Sequence, residues 1–325
     1  MAKTDVTALG ELLIDFTNNG DSSQGNPMFE ANPGGAPCNV LAMLQKCGKK
    51  TAFIGKVGDD QFGKMLKATI EDIGIDSQYL MMDKDVRTTL AFVHKLPDGD
   101  REFSFYRNPG ADMMINESEI TEDMLSDTKI FHFGTLSMTH EGARKATLKA
   151  VELAKKNGAL ISLDPNLRPP LWGNMEDAKE QMLKAISLCD ILKISDNEIQ
   201  FVTGLDDYDE GIAKIREMFN TPLIFLTMGK DGSRAYYKDY RIEAAGFKQD
   251  EIVDTTGAGD TFCGSVLSKI LELGIEDLSE TQIKEMLTFA NAAASLVTQK
   301  KGAIRSMPEV EDIMCIVHKK QSVKL

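Results

Sequence analysis

The feature that most constrains the fold is an alternation of short apolar runs with longer amphipathic segments, which begins at about residue 130. The order is KIFHFG, EGARKATLKAVELAKKNG, ALISLDPN, a helix ending near Leu188, DILKIS, a helix near DEGIAKIREMFN, and PLIFLTMG. GSRAYYK follows as a more exposed strand, and two helices close the chain. Strands separated by helical crossovers run parallel to each other. The pattern predicts an α/β fold whose doubly wound, mainly parallel central sheet is flanked by helices.

The first third of the chain shows a different pattern, in which polar and apolar residues alternate as in exposed strands. TTLAFVHKLPDGDREFSFYR predicts a hairpin around the turn Pro97-Asp98-Gly99. Together with ELLIDFTNN and NPMFEANPG, it indicates a small antiparallel β lid built from about residues 11–34 and 87–108. Lids of this kind exclude water from a reactive centre. We therefore expect a single domain over residues 1–325 that carries a lid.

The amino-acid composition limits the kinds of molecule that the protein is expected to bind. The formal net charge of -13 argues against a nucleic-acid or anionic-membrane partner, which would need a concentrated basic face. The five cysteines are scattered and form no CxxC pair, so neither a disulfide framework nor a zinc site is expected. The N-terminal segment lacks the apolar core of a signal peptide, and no apolar run is long enough for a membrane anchor. These features predict a cytoplasmic protein that binds small molecules.

A glycine turn lies directly before a predicted helix in VDTTGAGDTFCGSV. Val253 would end a β-prone segment, and the buried face of the helix would contain Thr261, Phe262, Val266 and Leu267. A helix N-terminus presents unpaired N–H groups and the positive end of the helix dipole. The amides of Gly257, Ala258 and Gly259 would therefore hold an anion.

Asp260 follows this turn at once, and a carboxylate beside a bound phosphate needs a reason to be there. One reason is phosphoryl transfer, in which Asp260 accepts the proton of the attacking hydroxyl as the amides stabilise the transferring group. The other is structural: Asp260 caps the helix, and the glycines allow close packing. The turn alone favours neither reading.

The remaining motifs give weaker evidence of function. The segment Gly58–Met65 fails as a Walker loop, because Met65 replaces the hydroxyl residue and two acids occupy the phosphate cradle. Asp59 and Asp60 are expected instead to cap the next helix or to serve a turn near the sugar. The glycine turn lies too close to the C-terminus for a dinucleotide fold. Cys263 is expected to be a packed residue.

Several motifs together resemble the ribokinase-like (PfkB) sugar kinases over nearly the whole chain. They are TTGAGDTFCGSV, NPGGAPCNVLAML, IGKVGDDQFG, GELLIDF and DPNLRPPLW. DPNLRPPLW and FYRNPGAD are similar to segments of the fructokinase members of that family. The resemblance implies the doubly wound kinase fold, Mg·ATP as phosphoryl donor and a sugar as acceptor.

The resemblance also implies roles for individual residues. On the sugar side it indicates Asp15, Gly34, Gly35, Asn39, Arg107 and Asn166. For catalysis it indicates Asp260 with the amides of Gly257, Ala258 and Gly259, and Arg168 as a phosphate clamp. On the nucleotide side it indicates Lys193, Thr227, Gly229, Gly232 and Asn291.

The resemblance also implies two cation sites, with fewer matching residues. Glu198 would hold Mg²⁺ through water, although Ser195 stands where many members carry asparagine, which weakens the match. Asp254, the backbone of Ile252 and Ser306 would border a site for K⁺. The resemblance also raises a homodimer formed through the lid.

The expected function is the transfer of the γ-phosphoryl group of ATP to D-fructose, which yields fructose 6-phosphate. Three alternatives share the scaffold: ribose, a nucleoside or 2-keto-3-deoxygluconate as acceptor. A fourth is a sugar-binding regulator without catalytic activity, and a cofactor-dependent oxidoreductase is the most distant reading because no nicotinamide site is found.

Overall fold

The computed structural model describes residues 4–95, 101–249 and 251–322, and within them it forms two β-sheets. The strands are β1 (Thr4–Leu9), β2 (Leu13–Asp21), β3 (Pro27–Gly34), β4 (Thr51–Gly58), β5 (Leu80–Asp83), β6 (Leu90–Lys95), β7 (Arg101–Tyr106), β8 (Thr128–Phe133), β9 (Leu160–Leu163), β10 (Ile191–Ser195), β11 (Leu223–Thr227), β12 (Ser233–Tyr237) and β13 (Tyr240–Ala244). The helices are α1 (Ala36–Lys46), α2 (Gln61–Asp72), α3 (Glu141–Lys156), α4 (Met175–Ile186), α5 (Asp196–Thr203), α6 (Tyr208–Met218), α7 (Ala258–Leu273), α8 (Glu280–Val297) and α9 (Val310–Ser322).

The larger sheet has the strand order β13-β12-β11-β10-β9-β8-β1-β4-β5. All neighbours from β11 to β5 pair in parallel, and only β12 and β13 are added antiparallel at one edge. This confirms the predicted fold class. Because β1 lies between β8 and β4, the chain order reverses there, and ligands of such sheets bind at the carboxyl ends of the strands near that point.

Alternate residues of β1 show how both faces of this sheet are covered. Val6 and Ala8 enter a buried apolar cluster that contains residues of α1, α7 and α8. Leu9 enters a second cluster with Phe131 and Phe133 of β8 and residues of α3 and α4. Strands covered on both faces read as nearly continuous apolar runs, which is what the sequence shows.

The lid is the smaller sheet, with the order β3-β2-β6-β7. Its β2–β3 and β6–β7 pairs are antiparallel, which confirms the predicted small antiparallel lid, and a parallel pairing of β2 with β6 joins the two pairs. The chain returns to the main sheet between these two strands, and both therefore leave it in the same direction. The predicted turn at Pro97-Asp98-Gly99 lies outside the described residues.

Two expectations need correction. No strand contains Val253, and the residues from 251 to the start of α7 form bends and turns. The predicted exposed strand GSRAYYK corresponds to β12, which is mostly buried because β13 pairs along its outer edge. Among the described residues, no helix is long and apolar enough to cross a membrane.

Candidate active site

Asp260 lies in the first turn of α7, at the carboxyl edge of the larger sheet. The helix is capped by Gly257, which has the left-handed φ of 80° and provides no side-chain cap. Asp260 does not take that role either: its Oδ2 accepts a hydrogen bond of 2.7 Å from Nδ2 of Asn39 on α1. Its side chain is only 8 % exposed. The helix-cap reading of Asp260 is therefore wrong.

The N-terminus of α7 has open backbone donors. Within the described part of the chain, no group accepts from the amides of Gly257, Gly259 or Asp260, whereas the amide of Ala258 donates weakly to Thr255 O at 3.3 Å. A Cβ at Gly257 would lie 2.6 Å from Cβ of Ala303, so this turn requires glycine. Open amides at the positive end of a helix dipole suit an anion such as a phosphoryl group.

Lys193 adds a positive charge beneath this turn. It extends from β10, is buried, and its Nζ lies 3.1 and 3.2 Å from the two carboxylate oxygens of Asp164. A Cβ at Gly259 would lie 3.2 Å from the same Nζ. Burial acts to lower the pKa of Lys193, but the charges of Asp164 and Glu198 outweigh it and raise the pKa, so the ammonium form is retained.

The electrostatics of Asp260 suit a proton acceptor. Burial raises its pKa above the ordinary range, whereas the hydrogen bond from Asn39 and the charges of Lys193 and Arg168 act to lower it. A carboxylate with a raised pKa binds a proton more readily than a free aspartate does, which favours general-base catalysis near neutral pH.

Asp15 lies near the same place, on the lid. It is in β2, the second strand of the chain, and is half-buried. Burial raises its pKa to about 7, and the charges of Asp254 and Asp260 act in the same direction while Arg168 opposes them. Its Oδ2 occupies the space that a side chain at Gly34 would need. Lid and main sheet thus bring acids from distant parts of the sequence together.

Asn166 and Arg168 follow β9 at the same edge of the sheet. Asn166 has a left-handed φ of 48°, a conformation that asparagine tolerates better than most residues do. Arg168 is exposed, and its charge influences both Asp15 and Asp260. The predicted phosphate clamp therefore lies beside the predicted base.

Arg107 is placed differently from the expectation. It is buried, its Nε donates to Asp112 Oδ2 at 2.7 Å, and its terminal nitrogens donate to Thr139 Oγ1 at 2.9 Å and Leu136 O at 3.2 Å. These bonds tie the end of the lid to the main domain. With its guanidinium so engaged, Arg107 is a structural anchor in this conformation and not a free sugar ligand.

Glu11 is a buried acid that is missing from the residues predicted on the sequence. Its Oε1 accepts from the amide of Ala36, just after Gly35, which has a φ of 128° and caps α1. Burial raises the pKa of Glu11 to about 7. The signal was present in the sequence as an acid inside the apolar run ALGELLIDF. Glu11 fixes the start of the helix that carries Asn39.

The predicted nucleotide residues lie along neighbouring elements. Thr227 ends β11 and pairs with Ser195, the last residue of β10. Gly229 and Gly232 follow with φ of 53° and 105°. Asn291 on α8 donates to Ala244 O at 2.9 Å, and a Cβ at Gly232 would collide with the same carbonyl.

Glu198 closes the N-terminus of α5. Its Oε2 accepts from the amide and hydroxyl of Ser195, both at 2.8 Å, and its Oε1 accepts from the amide of Leu167 at 2.8 Å. Burial acts to raise the pKa of Glu198, but the charge of Lys193 and these hydrogen bonds outweigh it, so the pKa is lowered. Glu198 therefore stays ionised, and any Mg²⁺ would meet it through water, which this ion usually retains.

The residues predicted to border a K⁺ site lie on two adjoining loops. Asp254 is buried and accepts from the amides of Thr256 at 2.8 Å and Gly302 at 3.1 Å. Ser306 donates to Lys301 O at 2.6 Å. The side chain of Ile252 is 64 % exposed, so only its backbone would serve. Within the described residues, no cluster of His, Cys, Asp and Glu has the form of a metal site.

A comparison with protein families gives one match to nearly the whole chain: the model described as pfkB family carbohydrate kinase matches residues 3–310. The chain belongs to this family. It is 41% identical to probable fructokinase-4 of Arabidopsis thaliana over 97% of each chain. It is also 41% identical to fructokinase-2 of Solanum lycopersicum, over 96% of this chain and 95% of the relative.

Solved structures agree with this assignment. Fructokinase from Xylella fastidiosa with bound ATP is 27% identical, with a TM-score of 0.89 over 98% of this chain and 99% of that one. Fructokinase from Vibrio cholerae in a form with fructose, ADP and calcium ion is 29% identical, with a TM-score of 0.87 over 98% of this chain and 100% of that one.

The protein is a carbohydrate kinase of this family, and several of its predicted site residues lie at one edge of its larger sheet. Asp164, which is not among the predicted site residues, directly follows β9, and it pairs with Lys193 of the neighbouring strand β10. Burial raises the pKa of the Cys263 thiol well above its ordinary value. That is consistent with a packed residue and not with a reactive thiolate.

Proposed function

We propose that this carbohydrate kinase is an ATP-dependent fructokinase that phosphorylates D-fructose at C6 and forms fructose 6-phosphate. The observation that carries the proposal is the 41% identity to fructokinases over nearly the full chain. It is joined by a buried carboxylate, Asp260, beside open amides at the start of α7. A base next to an anion hole is what a hydroxyl needs to attack a phosphoryl group.

In the proposed mechanism, the sugar binds between the lid and the main sheet. Asp15 and Asn39 accept hydrogen bonds from its hydroxyls, and closure of the lid excludes water. Asp260 accepts the proton of the attacking hydroxyl. The amides of Gly257, Ala258 and Gly259 stabilise the charge that spreads over the phosphoryl oxygens, with Arg168 as a clamp from the exposed side. The role of Ala258 is the weakest of the three amides, because its donor already contacts Thr255 O.

The nucleotide would occupy the edge formed by Thr227, Gly229, Gly232 and Asn291, with Lys193 near its terminal phosphates. Supporting this placement, Lys193 keeps its charge directly beneath Gly259. Mg²⁺ would be oriented through water by Glu198, and when bound it neutralises charge on the phosphate oxygens. The geometry around Asp254, Ile252 and Ser306 is compatible with a K⁺ site only if carbonyl oxygens supply most of the ligands, because both oxygens of Asp254 accept amide hydrogens.

The first experiment is an acceptor assay. ADP release from Mg·ATP would be measured with fructose, ribose, adenosine and 2-keto-3-deoxygluconate in parallel, each in potassium and in sodium. We expect a strong preference for fructose and phosphate at C6 of the product. Preference for another acceptor would retain the kinase mechanism and reject fructose. Sugar binding with no ADP release from any acceptor would favour a regulator. Equal rates in the two salts would reject the K⁺ site.

We further propose a homodimer through the lid. Because neighbouring residues of a strand face opposite sides, Phe16 lies on the face of the lid away from Asp15. Its ring stacks on Phe92, which also contacts Phe29 and Tyr106. Phe29 and Tyr106 are 39% and 66% exposed. An exposed aromatic face supports burial against a second copy, and sedimentation of Tyr106→Asp against the unmodified protein tests it.

We also propose that residues 1–325 form a single domain and that the protein is cytoplasmic. Free cysteines at Cys38, Cys47, Cys189, Cys263 and Cys315 support a reducing compartment. Cooperative unfolding in a single transition and fractionation of cells that express the full chain would test the two proposals.

A further inference from the structure

Asn39 and Asp260 come from opposite ends of the chain and meet through one close helix contact. Gly264, one turn after Asp260, lets α7 pack against the backbone of α1: a Cβ there would lie 2.7 Å from Val40 O and 2.8 Å from Met43 Cβ. The same contact brings Asn39, next to Val40, within 2.7 Å of Asp260. The hydrogen bond is therefore set by rigid, buried helices.

The bond fixes the orientation of both side chains. A carboxylate only accepts hydrogen bonds, so the amide of Asn39 must present its NH₂ group to Oδ2 of Asp260. Its carbonyl Oδ1 then faces away, and this buried atom has no hydrogen-bond partner in the described structure. Asn39 as a whole is 3% exposed. A buried carbonyl without a donor is costly unless another molecule supplies one.

The two oxygens of Asp260 are consequently different. Oδ2 is held by Asn39, and no described residue donates to Oδ1. Since the hydrogen bond draws electron density from Oδ2 and blocks its approach, Oδ1 is the atom left to accept a proton. The geometry thus distinguishes the reactive oxygen of the carboxylate from the one that is held.

We propose that Asn39 is a positioning residue for the general base: its amide hydrogen holds Oδ2 of Asp260, so that Oδ1 receives the proton of the attacking hydroxyl, and its own Oδ1 accepts a hydrogen from a neighbouring hydroxyl of the sugar. In the proton transfer, the substrate O–H bond breaks as the Asp260 Oδ1–H bond forms, and the electron pair of the O–H bond stays on the attacking oxygen. The proposal extends the proposed kinase function and rests on it, because Asn39 would both bind the sugar and orient the general base.

Other charges surround Asp260, and they set the background for any pH measurement. The titratable and charged groups that influence it or feel its charge are Asp15 of β2, Asp164 and Arg168 after β9, Lys193 of β10, and Cys263 of α7. None of them lies on α1. A substitution at Asn39 therefore changes the hydrogen bond to the base without removing a charge.

The test compares the pH dependence of phosphoryl transfer in Asn39→Ala with that of the unmodified protein. The single-turnover rate would be measured with both substrates saturating, using whichever sugar the acceptor assay identifies. Loss of a hydrogen bond to an ionised carboxylate raises its pKa, so the acidic limb of the profile should move to higher pH by about one unit. The rate on the plateau should fall about tenfold or more, and the sugar Kd should rise.

A matched control is Asn32→Ala. Asn32 is the strand partner of Asp15 in the lid, but its amide donates to Thr17 Oγ1 at 2.8 Å and not to Asp260. Its substitution should leave the acidic limb in place. Asn39→Ser retains a small hydrogen-bonding side chain and serves if the alanine variant does not fold, which its melting temperature would show.

The outcomes separate the two proposals. If the unmodified protein phosphorylates no sugar, the proposed function fails. If it does so and Asn39→Ala weakens sugar binding but keeps the limb and plateau of the unmodified protein, Asn39 is only a sugar ligand and the positioning role is rejected. A shifted limb in Asn32→Ala as well would reject the specific link to Asp260.

Discussion

Two helices, α5 and α7, begin at the same edge of the sheet, and each carries an acid in its first turn. Glu198 of α5 accepts three hydrogen bonds, from Ser195 and Leu167. Asp260 of α7 accepts its single described bond from the side chain of Asn39. The pKa is lowered for Glu198 and raised for Asp260. The N-terminus of α5 is therefore capped by its own acid, whereas the backbone amides at the N-terminus of α7 stay available to a ligand.

The difference shows that position at a helix N-terminus does not determine what an acid does. A capping side chain consumes the donors that an anion would need, whereas a glycine cap leaves them available. The left-handed Gly257 leads the chain into α7 without covering its amides. Four predictions test this contrast, in order of decreasing expected effect.

The largest effect is expected for Asp260→Asn. The amide retains an acceptor for Asn39 but cannot take up a proton, so turnover should fall by roughly 10² or more while sugar affinity changes little. Turnover and sugar Kd would be measured together. Because the substitution removes a buried charge, the free energy of unfolding at pH 7 should not decrease by more than about 1 kcal/mol. Unchanged turnover in Asp260→Asn would reject Asp260 as the general base.

Closing the open helix end should have the next largest effect. In Gly257→Ala, the new methyl group would meet Ala303 and displace the amides, which predicts a loss of roughly 10- to 100-fold in turnover. Gly204 is the matched control: it caps the other end of α5 with a similar φ of 72°, and a Cβ added there would have no atom within 4 Å. Gly204→Ala should lose about 1 kcal/mol of stability from the left-handed backbone alone and keep its turnover. Equal loss of turnover in both variants would contradict the anion hole.

The third prediction concerns the closed helix end. Glu198→Gln weakens three hydrogen bonds to an ionised acceptor, and the free energy of unfolding in urea should fall by about 1–3 kcal/mol. Glu180→Gln, at an exposed position of α4, is the control and should change it by less than about 0.5 kcal/mol. A stability loss in Asp260→Asn as large as that in Glu198→Gln would remove the distinction between the two acids.

The smallest effect is a pH dependence of stability. The folded-state pKa of Asp15 is about 7, well above its value in the unfolded chain, so the native state binds more protons between about pH 4 and 7. Asp15 therefore costs stability at pH 8, and this cost decreases progressively as the pH falls from about 7 to about 4. We expect the melting temperature of the unmodified protein to rise more than that of Asp15→Asn on going from pH 8 to pH 5. Glu198, with a lowered pKa, contributes no change in this window, because its stabilisation is lost only at lower pH. Parallel melting curves for the two proteins would contradict the raised pKa.

The sequence by itself determined the layout of the main sheet and the glycine turn at the start of α7. Continuous apolar runs between amphipathic segments have one stable solution, a parallel sheet covered on both faces. A glycine turn before a helix indicates an anion site because the reason is local: the backbone of a few consecutive residues supplies the donors.

The tertiary structure decided which side chains meet. The family resemblance indicates Arg107 as a sugar-side residue, but Asp112, Thr139 and Leu136 accept hydrogen bonds from it at the base of the lid. Lys193 of β10 pairs with Asp164, which directly follows the neighbouring strand β9. Asn39 and Asp260 are 221 positions apart in the chain, and they lie 2.7 Å apart in space because α1 and α7 approach closely at Gly264. Such contacts depend on packing across the whole core, and no local pattern of residues encodes them.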